Sequence, residues 1–231
     1  MKLKDIIKFL EKEIPKELAL QTDRIGLQGQ YDLDIEVDSI KIYMDLYPED
    51  DEFLKNTLII THHPPLFEPK TPTYTIHSNW DIIKGGANEA LAKTLNLDVI
   101  DYFDEKNKIG RICKSDYTFS QLKEIILTNF ENPRIVNNLN DNYEVNRIGI
   151  VSGFGLKNPD YIKLAKSKKL DMLISGDLTH ETAVLAKNLN ISLIDLGHHS
   201  SELPGLYELK RIIQKIDVDC EVIDKNPIEK I

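Results

Sequence analysis

Short β-branched runs alternate with segments of helical period along most of this chain, and that alternation restricts it to an α/β architecture. Leu3, Ile6, Ile7, Leu10 and Ile14 recur at helical spacing and stop at Pro15. Residues 39–45 alternate as a half-buried strand does, and 57–61 form a short strand that delivers His62 and His63 at its C-terminal end. Residues 87–96 read as a helix and 98–101 as the next strand. The pattern then returns: a strand over 144–151, a helix over 159–168, a strand over 171–175, a helix over 181–190 and a strand over 191–196. A last helix is expected from about Ser201 to Ile216, with Leu206, Leu209, Ile212 and Ile213 on one face.

Residues 91–101 match residues 185–195 at seven of eleven positions. Either this is coincidence in a chain rich in Leu, Lys and Asn, or it marks two related α/β lobes whose strand C-termini line one cleft, where open α/β sheets place their ligands. The expected architecture is two α/β lobes with mixed sheets flanked by helices. An N-terminal lobe spans 1–112, and a polar connecting segment containing Asn137-Asn138-Leu139-Asn140-Asp141-Asn142 spans 113–142. A C-terminal lobe spans 143–231.

The net charge of −9 works against a partner gripped through a phosphate backbone, although bound dications would add local positive charge. Nucleic acid therefore stays open only as the less favoured partner. No stretch approaches the roughly 18 apolar residues of a membrane span, and Met1-Lys2-Leu3-Lys4-Asp5 runs straight into an amphipathic pattern. A soluble, cytoplasmic chain without membrane contact is expected. Cys113 and Cys220 lie far apart in unremarkable settings and read as two reduced structural thiols. The chain shows neither a P-loop nor a Rossmann fingerprint.

Five of the six histidines fall in two short segments, each with a carboxylate. The first holds His62, His63 and His77 with Asp81; the second holds His198 and His199 with Glu202. Neutral imidazole suits zinc, iron, manganese, nickel and cobalt, while carboxylates can bridge two ions. Adjacent histidines on a regular strand point to opposite faces, so an isolated pair reads as one core and one exposed residue. A second pair at another strand end favours instead a pair of neighbouring ions. Glu202, four residues after His198, is either an acid of the first helical turn or a bridge between ions. Asp81, four residues after His77, is the remaining anionic candidate.

The segments, taken in order, resemble those of the Nif-three-like family of dinuclear metal proteins, also labelled GTP cyclohydrolase I type-two homologues. Asp23-Arg24-Ile25-Gly26-Leu27-Gln28 is similar to the family's DNxGLQ box, and His62-His63-Pro64-Pro65-Leu66-Phe67 to its HHPxxF box. His77-Ser78-Asn79-Trp80-Asp81, with Gly85-Gly86-Ala87-Asn88 and Leu91-Ala92, resembles its HTNxD…GxNxxLA segment. Ser175-Gly176-Asp177 with His180 resembles its TGE…H segment, and Gly197-His198-His199-Ser200-Ser201-Glu202 its AGHxxxE box. The resemblance implies His62, His63, Asp81, His198 and Glu202 as ligands of two divalent ions, with Glu202 as the bridge. It also implies a homohexamer.

Arg24, Ser78 and Asp177 depart from the usual Asn, Thr and Glu; none of the five ligand positions does. Asp23, His77 and His180 are the unassigned polar residues and the candidates for catalysis, by touching substrate or by orienting a ligand. His199, beside a ligand, is exposed or orients one. Two functions follow. One is a metal-dependent hydrolase of a nucleotide-like or cyclic small molecule, with GTP ring opening suggested by the family label. The other is a non-catalytic hexameric metal-binding scaffold or regulatory protein, with nucleic acid as one conceivable partner.

Overall fold

In the computed structural model, which describes residues 1–228, the apolar runs become the inner strands of two separate sheets. The chain divides into two compact units: Met1–Gly86 together with the chain from Leu206 on, and Ala87–Gly205. The first unit begins with α1 (Leu3–Glu13), whose Leu3, Ile6 and Leu10 are buried as the spacing predicts. It continues through β1 (Gly26–Leu27), β2 (Ser39–Tyr43), β3 (Thr57–Thr61), β4 (Thr73–Thr75) and α2 (Ser78–Ile82).

The second unit holds α3 (Ala87–Thr94), β5 (Asp98–Asp104), β6 (Ile109–Thr118), α4 (Phe119–Asn129), β7 (Arg134–Val136) and β8 (Glu144–Ile150). After these come α5 (Pro159–Ser167), β9 (Met172–Ser175), α6 (His180–Leu189) and β10 (Ser192–Asp195). The helix α7 (His198–Ile213) carries the chain back, and β11 (Asp219–Ile223) completes the first sheet. The division at Gly205 falls beside Pro204, which lacks the N–H for one bond of that helix.

The first sheet has the order β1-β4-β3-β2-β11, parallel except for β1. β3 is central and buried at every position, as a strand covered on both faces must be. Tyr43 pairs with Thr61 and Thr61 with Thr75, so three strands end level with one another. The second sheet has the order β5-β6-β8-β9-β10-β7, with a parallel centre of β8, β9 and β10 and antiparallel strands outside it. The level ends recur: Ile150 pairs with Ile174, and Ser175 with Asp195. Its core packs Leu122 and Ile126 of α4 with Ile148, Met172 and Ile194.

This division differs from the expected lobes at 1–112 and 143–231. The repeat does not relate two lobes, because both copies lie in the second unit, as α3–β5 and α6–β10 of one sheet. The expected connector 113–142 supplies most of β6 together with α4 and β7. Its strand was hidden by polar residue types: Cys113 and Ser115 are buried while Lys114 and Asp116 are exposed. Residues 229–231 of the expected C-terminal lobe lie outside the described residues. Among the described residues no helix is long and apolar enough to cross a membrane, and Cys113 and Cys220 are free thiols.

Candidate metal centre

Three imidazoles come together beyond the level strand ends of the first unit. His62 and His63 extend the ladder past β3, their N–H groups donating to the Tyr43 and Met44 carbonyls at 2.9 Å. Regular strand geometry ends at Thr61, so the two side chains do not diverge as alternation would require. Their ring centroids are 4.9 Å apart. His77, the residue before α2, stands 5.2 Å from His62 and 5.3 Å from His63 by the same measure. One ring nitrogen from each of the three lies within 4.8 Å of the others. Asp81, one turn into α2, places Oδ1 3.8 Å from His62 Nε2.

Each ring is oriented from behind. His62 Nδ1 is 3.1 Å from the Ile76 carbonyl oxygen, which can only accept, so Nδ1 carries the proton and Nε2 the lone pair. His63 Nδ1 is 2.8 Å from Asp45, and His77 Nδ1 is 2.7 Å from Asp23. Asp23 also accepts from the Ser78 N–H at 2.9 Å and the Ser78 hydroxyl at 2.5 Å. Burial works to raise the Asp23 pKa, but these bonds outweigh it and hold the carboxyl well below the usual range.

The second unit builds a matching group where β8, β9 and β10 end. His198 Nδ1 is 3.0 Å from Asp177, and its Nε2 is 3.2 Å from Glu202, one turn along α7. The helix starts at His198, earlier than expected, so Glu202 is not an acid of the first turn. Gly153 has φ +75°, and a Cβ there would fall 2.1 Å from Glu202 Oε1 and 3.2 Å from His198 Nε2. Only glycine leaves the carboxylate its place. The Gly153 N–H donates to Ser201 Oγ at 2.8 Å, and that hydroxyl donates to the His198 carbonyl at 2.9 Å. Burial works to lower the His198 pKa, yet hydrogen bonds and charge from Glu202 and Asp177 raise it to about 9. For Asp177, burial is outweighed by His198 and by Lys157 at 3.0 Å, and its pKa is lowered.

In all four rings Nδ1 is turned to an oxygen acceptor, the arrangement by which metal-ligating histidines are held. The 3.2 Å between His198 Nε2 and Glu202 is also close to the spacing of two donors on one ion. Histidine and glutamate groups able to hold a metal ion are thus present, and the nitrogen and oxygen donor set fits a divalent cation.

Of the expected site residues, His62, His63 and Asp81 come together in the first unit, and His198 and Glu202 in the second. His77 joins the imidazoles, and Asp23 holds it. His180 is exposed at the start of α6 and, among the described residues, belongs to no group of three metal-capable side chains. His199 is half-buried in α7. Asp45 was missed, although it closes the alternating strand 39–45. Gly153 was missed too, although the run Ser152-Gly153-Phe154-Gly155 after a strand signals a special turn.

A profile of the family described as Duf34/NIF3 (NGG1p interacting factor 3) matches residues 1–74 and 71–227. A protein of Methanothermobacter thermautotrophicus named GTP cyclohydrolase 1 type 2 homolog is 40% identical over 97% of this chain and 93% of its own length. NIF3-like protein 1 of Drosophila melanogaster is 25% identical over 98% of this chain and 88% of its own. Among solved structures, reduced HcgD from Methanocaldococcus jannaschii superposes with a TM-score of 0.82 at 30% identity, covering 97% and 98% of the two chains. A Bacillus cereus protein related to NIF3 superposes at 0.80 with 17% identity, covering 100% and 99%, a likeness of fold.

Proposed function

The chain belongs to the Duf34/NIF3 family, and on that premise we propose that it is a two-ion metal protein acting as a hydrolase on a nucleotide-like or cyclic small molecule. As the resemblance implies, His62, His63, Asp81, His198 and Glu202 would hold the ions, with Glu202 as the bridge. The observation that carries this reading is the orientation of the rings: the Nδ1 atoms of His62, His63 and His198 lie 2.8–3.1 Å from an oxygen acceptor. Bound divalent ions supply Lewis acidity and a water activated near neutral pH. Asp45 and Asp177 keep two ligand rings aimed, and Gly153 leaves room for the Glu202 carboxylate. Asp23 keeps His77 turned toward the same region. The relatives' label, GTP cyclohydrolase 1 type 2 homolog, makes purine ring opening the first reaction to assay.

Metal analysis followed by a screen of nucleotides and cyclic amides tests the proposal. Turnover should vanish with a chelator and return with a dication; a stripped protein that keeps full activity would remove the metal from the reaction. The family description records an interaction partner rather than a reaction, and it favours a second reading, a non-catalytic homohexameric scaffold in the cytoplasm. A fully loaded protein that turns over no substrate, yet retards labelled single-stranded DNA in a salt-dependent way, would support that reading.

A further inference from the structure

We propose that the protein binds a second copy of itself through a firmly held aromatic residue, Phe53 of one copy seating in an apolar notch between α4 and β7 of the next. Nothing in this contact depends on the metal centre.

A single exposed apolar side chain needs no explanation by itself. Phe53 is set apart by how its loop is fixed. The side chain is 71% exposed, yet one buried threonine holds the backbone on either side of it. The Leu54 N–H donates to Thr71 Oγ1 at 3.1 Å, and the Thr71 hydroxyl donates to the Glu52 carbonyl at 3.3 Å. The buried Asp51 carboxylate accepts the Lys70 N–H at 2.6 Å and the Thr71 N–H at 3.0 Å. The turn is thus fixed while its ring stays uncovered by its own chain. A residue presented this way gives up little freedom on docking, which is what an interface anchor requires.

The notch lies in the second unit. The buried Ile126 and Ile194 line it together with Leu127 and Ile135, which are 66% and 45% exposed. Its volume of about 120 Å³ is near that of the apolar cavity of roughly 150 Å³ that holds benzene, so a phenyl ring is the size of guest it takes. β7 ends its sheet and pairs with β10, so among the described residues no further strand covers Ile135.

Charge matches the two surfaces. Residues 48–55 carry Glu49, Asp50, Asp51 and Glu52 against Lys55 alone, and Glu49 and Glu52 are exposed. Lys123 and Arg134 flank the notch. Arg134 is bound to Asp195, but the acid is 2% exposed and the arginine 64%, so the charge this pair shows to solvent is the cation. Lys123 pairs with Asp141 on the open surface, a contact weak enough to exchange for another carboxylate. Glu52, beside the inserted ring, therefore meets cations on a chain whose net charge is −9. One aromatic ring buries about 150–250 Å², so Phe53 is the anchor of a larger contact. The two surfaces are unlike, and the contact runs head to tail, each copy giving one ring and receiving one.

Two variants break opposite halves of the contact: Phe53→Asp loses the ring and keeps the notch, and Leu127→Asp loses the notch and keeps the ring. Both positions are exposed, so the melting temperature should hold. By sedimentation velocity each variant should form smaller species than the wild type. Labelled Phe53→Asp protein should bind Leu127→Asp protein about tenfold or more tightly than it binds further Phe53→Asp protein, read by fluorescence anisotropy. Equal affinity in the two pairings would overturn the proposal. So would a wild type that stays monomeric at high micromolar concentration, which would leave the notch to a different protein. A photoreactive benzophenone residue at position 53 of the otherwise wild-type chain reads the contact without either variant. In a mixture of isotopically light and heavy chains it should link one copy to residues 123–135 of another; a link elsewhere, or none, would overturn the assignment.

Discussion

At the scale of single residues, the site depends on carboxylates set behind its imidazole rings. Asp45 accepts from His63 Nδ1 at 2.8 Å, so Asp45→Ala should lower metal affinity by about 10–100-fold, read by competition with a chromophoric chelator. An unchanged affinity would mean that the His63 ring is held by its packing alone. Gly153→Ala places a methyl 2.1 Å from Glu202 Oε1 and strains a backbone at φ +75°, so it should reduce bound metal and lower the melting temperature together. Cys113 gives the pH dependence. Burial pushes its thiol up to about 12, so the fold favours the protonated form over the unfolded chain, whose thiol titrates near 8.5. The folded state then binds more protons than the unfolded one between those values, and stability falls as pH rises through about 9 to 12. Cys113→Ala should flatten that alkaline slope, measured by urea unfolding at pH 8, 9 and 10; an identical slope in the variant would assign it to other groups.

Whole elements show where local signals and tertiary context part. Both copies of the internal repeat fold locally as their sequence asks, a helix ended by an asparagine in the left-handed region (Asn96 at φ 54°, Asn190 at φ 51°) and then a strand. Yet β5 is an edge strand antiparallel to β6 and largely exposed, while β10 is parallel to β9 and buried throughout. Nothing within eleven residues distinguishes those fates. The helix α4 was overlooked in a stretch read as a connector, although its N-terminus carries a capping box. The Gln121 N–H donates to Thr118 Oγ1 at 3.3 Å, and the Thr118 N–H donates to the Gln121 side chain at 2.8 Å. If α4 is a structural helix, Thr118→Ala should cost about 1 kcal/mol of unfolding free energy. A connector would lose nothing measurable.

For the whole molecule, the two units meet the proposed function only if metal and fold are linked. A ligand that binds the folded state stabilises it by mass action, about 2.7 kcal/mol at a hundred times its dissociation constant. Thermal unfolding should therefore shift upward with added dication and return on chelation. The homohexamer implied by the resemblance is tested by sedimentation velocity, which should show a species six times the 26.5 kDa chain; a monomer at micromolar concentration would end that proposal.

The sequence by itself determined the periodic helices and the apolar inner strands, the strand ends that carry histidine, and the ordered boxes from Asp23 to Glu202 that mark the family. These are local properties: periodicity, turn residues and short motifs are written within a few neighbouring positions. Tertiary structure alone decided that residues 206–228 return to the first unit, that both copies of the repeat share one sheet, and that His77 stands within ring contact of His62 and His63. Strand order and ring orientation arise from contacts between residues far apart in the chain. His77 and its anchor Asp23 are separated by 54 positions, a distance over which no spacing rule operates.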